Sequence, residues 1–224
     1  MEMESETLPA GIVRRIIRIE RYYQLLFIAE IIAVAVIALI ITWIAKFAGG
    51  FGSFLTFNYH PFFMILGFVI ITGNSVLIYR SLLGPRRTTV KLIHFILNCL
   101  TLACIVLALY SVFNGSGSAW LYSLHSWCGV ATVLVFALQF IVGVFSFLVP
   151  FIGEEKRKNL LPYHAFFGTA IFVAASATCL MGATEFALLE LTGEEAYNKK
   201  PPGAFVINFL GLSIFLFAAL VVYM

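Results

Sequence analysis

Long apolar runs alternate with short polar segments along the chain, and this pattern predicts six helices. The runs lie at about Tyr22–Ile44, His60–Tyr79, Val90–Val112, Tyr122–Val149, Leu161–Gly182 and Ala204–Met224. Each run is close to the ~20 residues that an α-helix needs to cross the hydrocarbon of a membrane. Barrel strands are shorter and alternate apolar with polar residues, so helices are predicted instead. The first run is too long for a signal peptide and is expected to remain as an anchor.

Composition excludes the other classes of protein. Hydrophobic residues make up 62% of the 224 residues and charged residues 11%, whereas a soluble domain is roughly half apolar and a quarter charged. The four cysteines lie inside apolar runs without a C-x-x-C motif, which argues against disulfides, zinc sites and covalently attached haem. We predict an all-α membrane protein, with residues 1–21 as a cytoplasmic N-terminal segment and residues 22–224 as a six-helix transmembrane domain.

The basic residues predict the orientation of the chain, because cytoplasmic loops are enriched in Lys and Arg. Eleven of the 14 Lys and Arg residues lie before the first run, around the connection of the second and third runs, or between the fourth and fifth. The other three, Lys46, Lys199 and Lys200, lie on the opposite side. Both termini are therefore predicted to be cytoplasmic.

Four histidines, His60, His94, His125 and His164, lie near the starts of the second to fifth runs. In the predicted topology, His60 and His125 share a depth near the non-cytoplasmic face, and His94 and His164 share one near the cytoplasmic face. A single histidine in such a helix often only hydrogen-bonds a neighbouring helix. Four that are paired in depth indicate functional sites, because polar side chains are costly inside a membrane.

Two facing imidazoles suit haem better than zinc. Zinc takes three or four protein ligands, often carboxylates or thiolates, but the runs contain no Asp and the cysteines do not adjoin the histidines. Haem needs only two axial ligands, which helical bundles supply from facing helices. Three glycines one or two turns after a histidine are expected to leave room for the macrocycle: Gly67, Gly129 and Gly168. We predict a central four-helix bundle holding two non-covalent b-type haems, with irons about 20 Å apart along the normal, for one-electron transfer.

Four segments carry a resemblance to a known family: FNYHP at Phe57–Pro61, RRTTVKLIH at Arg86–His94, YSLHSWCG at Tyr122–Gly129 and LLPYHAFFG at Leu160–Gly168. They resemble the cytochrome b561 family of ascorbate-dependent transmembrane oxidoreductases, which have six helices and two haems. The resemblance extends from about Phe51 to the C-terminus. In that family the second and fourth helices hold the non-cytoplasmic haem, and the third and fifth hold the cytoplasmic one. A homodimer is typical of the family.

The resemblance implies that cytoplasmic ascorbate is the electron donor. The basic residues at matching positions are Arg87, Lys91 and Arg157, and Arg80 is expected to join them near haem propionates or substrate. The implied roles are physically reasonable, because ascorbate is an anion at neutral pH and a basic pocket would attract it.

On the other face the family reduces monodehydroascorbate or, in some members, ferric complexes. Tyr122 and Asn208 match positions of that site. The outer loop Phe113–Trp120 lacks the basic or histidine residues common in relatives, so we expect it to hold an anionic acceptor weakly. The main hypothesis is monodehydroascorbate reduction, and the alternative is a ferric-chelate reductase.

A third hypothesis from a different class is a metal or proton transporter with a path lined by the histidines. It predicts carboxylates at the depth of the histidines, and apart from Glu30 the runs show none. The expected surroundings are a lipid bilayer, with no nucleic-acid partner. The resemblance allows secretory vesicles, lysosomes or vacuoles, and the plasma membrane.

Overall fold

The computed structural model describes residues 10–53, 56–115, 121–149 and 151–224. Most of the described chain forms six long helices: α1 Ala10–Phe47, α2 Tyr59–Ser81, α3 Arg87–Gly115, α4 Leu124–Leu148, α5 Glu154–Glu190 and α6 Pro202–Tyr223. All six are long and apolar enough to cross a membrane. The described residues contain no β-strand. The predicted all-α membrane architecture with six spans is therefore confirmed.

Several helices extend beyond the apolar runs that predict them. α1 already begins at Ala10, and α5 continues from Glu154 to Glu190. A helix persists as long as its backbone hydrogen bonds do, whereas an apolar run marks only the part that suits hydrocarbon. The first turn of α5 carries Glu154 and Glu155, which interact favourably with the positive end of the helix dipole. Of the predicted N-terminal segment, residues 1–9 lie outside the described residues.

Three of the core helices are irregular near the middle or one end. α2 has a π-helical segment at Ile65–Ile71 and α4 has one at Val144–Leu148. α5 contains Pro162 near its start, where proline lacks a backbone donor and crowds the preceding turn. Such wider or broken turns occur often at functional sites, because they change the direction of the side chains that follow.

Four helices, α2 to α5, form a central bundle, and α1 and α6 flank it. α2 packs along α3, and α4 packs along α5, whereas α3 and α4 hardly touch. α5 also contacts α2, and α6 packs on α1 and α5. The weak contact between α3 and α4 leaves the bundle open on that side.

The apolar core has two parts. The larger lies where α1 and α6 pack on the bundle and contains the fully buried Trp43, Phe172 and Phe217. The smaller lies within the bundle and takes residues from each of its four helices: Phe68, Ile105, Phe136, Ile171 and Ala175. We call this smaller part the central plug. On every bundle helix it falls between two levels, the outer layer of His60 and His125 and the inner layer of His94 and His164.

Candidate functional site

The outer layer brings His60 of α2 against His125 of α4, with ring centroids 6.1 Å apart. His60 Nδ1 lies 3.1 Å from the carbonyl oxygen of Ala108, and His125 Nδ1 lies 2.9 Å from that of Thr178. An Nδ1–H that donates to a backbone carbonyl fixes the tautomer and leaves Nε2 free as a ligand. Both rings are therefore oriented from the main chain of a neighbouring helix.

Local sequence features position the outer histidines. Before α2, Asn58 Nδ2 donates to the carbonyl oxygens of Ala48 and Gly50 at 2.7 and 2.5 Å, which ties the start of α2 to the end of α1. α4 begins with a capping box, in which Ser123 and Ser126 each bond the other's backbone N–H. Reciprocal caps of this kind satisfy free donors and define where a helix starts. His125 therefore lies within a well-defined first turn.

A glycine on α5 makes room for the His125 ring. A Cβ atom added to Gly182 would lie 2.6 Å from Cε1 and 2.9 Å from Nδ1 of His125, which is shorter than any ordinary contact. The ring thus packs directly against Gly182 on α5. The sequence does not point to Gly182, because the residue that faces it is on another helix.

The inner layer brings His94 of α3 against His164 of α5, with ring centroids 6.2 Å apart. His94 Nδ1 lies 3.0 Å from both the carbonyl oxygen and Oγ of Ser75. Asn98 Nδ2 donates to Ser75 Oγ at 2.7 Å and to the His94 carbonyl at 2.8 Å, and it also lies 3.3 Å from His94 Nε2. On the other side, Gln139 Nε2 donates to the His164 carbonyl at 2.7 Å and lies 3.0 Å from its Nδ1. Polar side chains thus contact this pair in addition to the Ser75 carbonyl, whereas both Nδ1 atoms of the outer pair bond main-chain carbonyls.

These three polar residues, Ser75, Asn98 and Gln139, were not among those predicted from the sequence. Asn98 could have been identified from its position, since it is a polar residue one helical turn after His94 inside an apolar run. No sequence feature of Ser75 or Gln139 indicates which histidine it contacts, because that histidine is on a different helix.

A cavity of about 1110 Å³ opens beside the inner layer. Its lining includes His94, His164 and Gly143, and a Cβ atom on Gly143 would lie 3.1 Å from Cε1 of His164. The volume is at or above the upper end of ordinary ligand pockets, about 300–1,000 Å³. The inner end of the bundle therefore has space for a large flat ligand next to both imidazoles.

The predicted glycines have different roles. Gly168 lines the inner cavity, and a Cβ atom on Gly129 would meet only Thr178 at an ordinary 3.7 Å. A Cβ atom added to Gly67 would lie 2.6 Å from Cβ of Cys104. Gly67 therefore serves the close approach of α2 and α3, a common use of small residues in membranes.

The donor set fits haem and does not fit a metal held by protein ligands alone. Bonds from imidazole nitrogen to a metal are about 2 Å long, so two rings on opposite sides of one metal have centres about 6 Å apart. The measured 6.1 and 6.2 Å agree with this spacing. Among the described residues, no group of three or more His, Cys, Asp or Glu side chains could hold a metal ion. A macrocycle that supplies the remaining ligands therefore suits both layers.

Three of the predicted basic residues gather at the inner cavity. Arg87, Lys91 and Arg157 all line it, and none of the described residues in its lining carries a carboxylate. Lys91 Nζ also donates to the carbonyl oxygen of Phe147 at 3.0 Å, which holds the ammonium group at the rim. Arg80 is not among the lining residues and instead has its guanidinium 5.4 Å from the ring centroid of Tyr22. The cavity is therefore suited to an anion, and Arg80 stands apart from it.

The two predicted residues of the outer face lie in different places. The Tyr122 hydroxyl, two residues before the start of α4, donates to Glu185 Oε1 of α5 at 2.5 Å. This hydrogen bond, together with desolvation and the nearby charge, raises the pKa of Tyr122 above its ordinary value. Asn208 Oδ1 accepts a 2.5 Å hydrogen bond from the Tyr197 hydroxyl and lines a cavity of about 380 Å³ between α5 and α6. Tyr122 is not part of that cavity, and residues 116–120 of the predicted outer loop lie outside the described residues.

A membrane-spanning helical bundle with facing histidines at both ends defines a multi-pass protein of the b-type cytochrome class. The sequence pattern described as eukaryotic cytochrome b561 matches residues 59–190. The chain belongs to the cytochrome b561 family, which implies that it binds haem b. The ascorbate-specific transmembrane electron transporter 1 of Zea mays is 37% identical over 205 residues, 88% of this chain and 86% of that protein. The transmembrane ascorbate-dependent reductases CYB561 of Ovis aries and Homo sapiens are 35% and 33% identical over 200 residues, 87% of this chain and 79% of each relative.

Proposed function

We propose that this chain is an ascorbate-dependent transmembrane oxidoreductase. It carries electrons from cytoplasmic ascorbate to monodehydroascorbate on the non-cytoplasmic side, with two haem b groups as cofactors. The observation that supports this most directly is the cationic cavity beside the inner histidines, whose lining includes Arg87, Lys91 and Arg157. Relatives named as ascorbate-specific electron transporters and ascorbate-dependent reductases support the same donor.

His60 with His125, and His94 with His164, are the residues that would hold the two haems. Bound in this way, haem would supply one-electron redox chemistry. The protein's part is to orient the rings. Carbonyl oxygens of Ala108 and Thr178 do so in the outer layer. In the inner layer Ser75 does so through its carbonyl and its hydroxyl, and Gln139 does so through its side chain.

The inner cavity is the proposed ascorbate site. Arg87, Lys91 and Arg157 attract and hold an anion there, in a partly enclosed space where water screens charge less than in solution. Lys91 is already held at the rim by the Phe147 carbonyl, so little ordering is needed when an anion binds. Arg80 is proposed only as a cytoplasmic anchor, since it lies over Tyr22.

The central plug keeps the two layers apart. Its side chains are all apolar and at most 4% exposed, so they exclude water and ions between the layers. At the outer end, Tyr122 and Asn208 are proposed to contact the acceptor. Both side chains are exposed, with Tyr122 64% exposed.

The proposed orientation puts the inner layer and both termini on the cytoplasmic side, because the arginines of α1, the α2–α3 connection and the start of α5 lie at that end. The six-helix domain of residues 22–224 is proposed as the functional unit within the bilayer, working as a homodimer like other family members. A secretory vesicle, lysosomal or vacuolar membrane, or the plasma membrane, would give ascorbate access to the inner cavity.

The test is a reduced-minus-oxidised visible spectrum of the purified protein with haem per chain quantified, before and after ascorbate is added. A b-type spectrum that ascorbate reduces supports the proposal. In the variants His94→Ala and His60→Ala, haem content is expected to fall by about half, since each removes one ligand of one layer. A folded, colourless protein, or haem that ascorbate leaves oxidised, would contradict it.

A further inference from the structure

We propose that the cavity between α5 and α6 binds a sterol of the surrounding bilayer, and that Thr184 and Asn208 hold the sterol hydroxyl. The cavity measures about 380 Å³, which is within the range of ordinary ligand pockets. None of the four histidines lines it, so this site goes beyond the proposed function. We call it the lateral crevice, and the residues of its lining that matter here are Leu180, Thr184, Tyr197, Asn208, Gly211 and Phe215.

The lateral crevice lies on a surface that faces lipid. Leu212 and Phe215 of its lining are more than half exposed, and apolar side chains on the outside of a membrane-spanning helix contact hydrocarbon. Thr184 on α5 and Asn208 on α6 are exposed as well. A lipid can therefore reach the lateral crevice sideways from the bilayer.

The outer end of the lateral crevice is polar. Asn208 lies six residues after the start of α6, and Thr184 lies six residues before the end of α5. Both are thus about 9 Å inside the ends of their helices. Polar side chains that face hydrocarbon are costly unless a partner satisfies them. The two walls of the lateral crevice therefore present a polar side chain at the same level, where a lipid group can pair with both.

The hydrogen-bonding capacity that remains at this level matches a hydroxyl group. Asn208 Oδ1 accepts a 2.5 Å hydrogen bond from the Tyr197 hydroxyl, and no described residue accepts one from its Nδ2. Thr184 Oγ1 donates to the Leu180 carbonyl oxygen at 3.2 Å, so its lone pairs can still accept. One wall thus offers a donor and the other an acceptor. A hydroxyl group can use both, whereas an ester carbonyl can only accept.

The rest of the lateral crevice is short and apolar. Gly211 has no side chain to fill the space, and a Cβ atom there would meet only Leu180 Cδ2, at 3.6 Å. The lining extends to Phe215, seven residues or about 10 Å beyond Asn208 along α6. A phospholipid acyl chain is longer, because it spans about half of the ~30 Å hydrocarbon core. A compact rigid ring system with one hydroxyl suits this shape, since rigid ligands lose little entropy on binding.

Two further observations favour a sterol among lipids that carry a hydroxyl group. The family pattern that the chain matches is eukaryotic, and sterols are components of eukaryotic membranes. The connection before α6 contains a leucine, a tyrosine and a lysine at the spacing suggested for cholesterol contact, namely Leu191, Tyr197 and Lys199. Tyr197 is also the residue whose hydroxyl engages Asn208.

The test is photolabelling of the haem-loaded protein in phosphatidylcholine nanodiscs with a diazirine analogue of cholesterol. Mass spectrometry of the digested chain locates the label, and a diazirine phosphatidylcholine is the comparison probe. Competition by cholesterol and by cholesterol methyl ether, which cannot donate a hydrogen bond, tests the part played by the hydroxyl. Haem per chain checks that each variant is folded.

The cholesterol probe is expected to label the walls of the lateral crevice, and cholesterol should compete better than its methyl ether. Gly211→Leu fills the space and should lower this labelling at least about fivefold. Thr184→Val keeps the shape but removes the hydroxyl, and it should lower the labelling roughly 2- to 10-fold, the worth of one hydrogen bond. The matched control is Ala219→Leu, at an exposed position of α6 outside the lateral crevice, which should leave the labelling unchanged.

A second readout does not use the probe. A ligand that binds only the folded protein raises its stability, so cholesterol in the nanodisc should delay haem release on heating in wild type and Ala219→Leu more than in Gly211→Leu. An equal delay in all three would overturn the inference. So would equal labelling by both probes, equal competition by the methyl ether, or labelling that Gly211→Leu leaves intact. An unlabelled crevice in wild type, as expected if a second copy of the chain covers it, would overturn it too.

Discussion

Replacing Gly182 by alanine should remove haem from the outer layer while sparing the inner one. The change adds a single methyl group. That carbon would lie 2.6 Å from Cε1, 2.9 Å from Nδ1 and 3.2 Å from Nε2 of His125, so it clashes with three atoms of the imidazole ring. The ring cannot yield freely, because its Nδ1 is bonded to the Thr178 carbonyl at 2.9 Å.

The size of the effect follows from these distances. Carbon atoms prefer to lie about 3.5–4.0 Å apart, so the ring or helix α5 must move by about 1 Å. Overpacking of this kind costs about 1–3 kcal/mol. If the ring moves, the cost falls on haem affinity, which drops roughly 5- to 150-fold at 1.4 kcal/mol for each factor of ten.

Haem per chain, measured on protein purified under limiting haem, is the direct assay. The variant is expected to lose about half of its haem, as His60→Ala does, while ascorbate still reduces the remainder. Gly211→Ala is the control, since its added carbon would meet only Leu180 Cδ2 at an ordinary 3.6 Å. Full haem content in Gly182→Ala, or an equal loss in Gly211→Ala, would refute the idea that the ring packs on a glycine.

Three further changes test other contacts. Arg87→Gln should raise the ascorbate concentration needed for half-maximal haem reduction about tenfold, because it removes a positive charge from the cavity. Arg80→Gln should change that concentration little. Equal effects of the two variants would contradict the proposed location of the ascorbate site. Asn98→Leu should weaken haem binding at the His94 layer roughly 10- to 100-fold, measured by haem titration and by a changed midpoint potential of that haem alone. Ser123→Ala should lower stability by about 1 kcal/mol through loss of the α4 cap, seen as earlier haem release on heating, and unaltered release would argue against the capping box.

Much of the candidate site could be read from the chain, for a topological reason. Successive spans must cross in opposite directions, so histidines near the starts of the second and fourth spans lie at one face, and those of the third and fifth at the other. His60 therefore needed no distance information to be paired with His125. Arg87, Lys91 and Arg157 likewise had to lie on one side, because charges cannot remain in hydrocarbon.

What the chain did not reveal is the rotation of each helix about its axis. In water an apolar stripe marks the buried face, but in a membrane the lipid-facing side is equally apolar, so the hydrophobic pattern does not tell the two apart. Gly182 and Gln139 face histidines on other helices for this reason, and nothing near them in sequence predicts it.

Sequence alone thus determined the number of spans, and it predicts their direction and the depth of each histidine, since the cost of placing polar groups in hydrocarbon governs all three. Tertiary structure alone decided which side chains meet at each depth. Packing placed Arg80 over Tyr22 instead of in the cavity, and it joined Tyr122 to Glu185. Such choices depend on close contacts between helices, which only the folded bundle establishes.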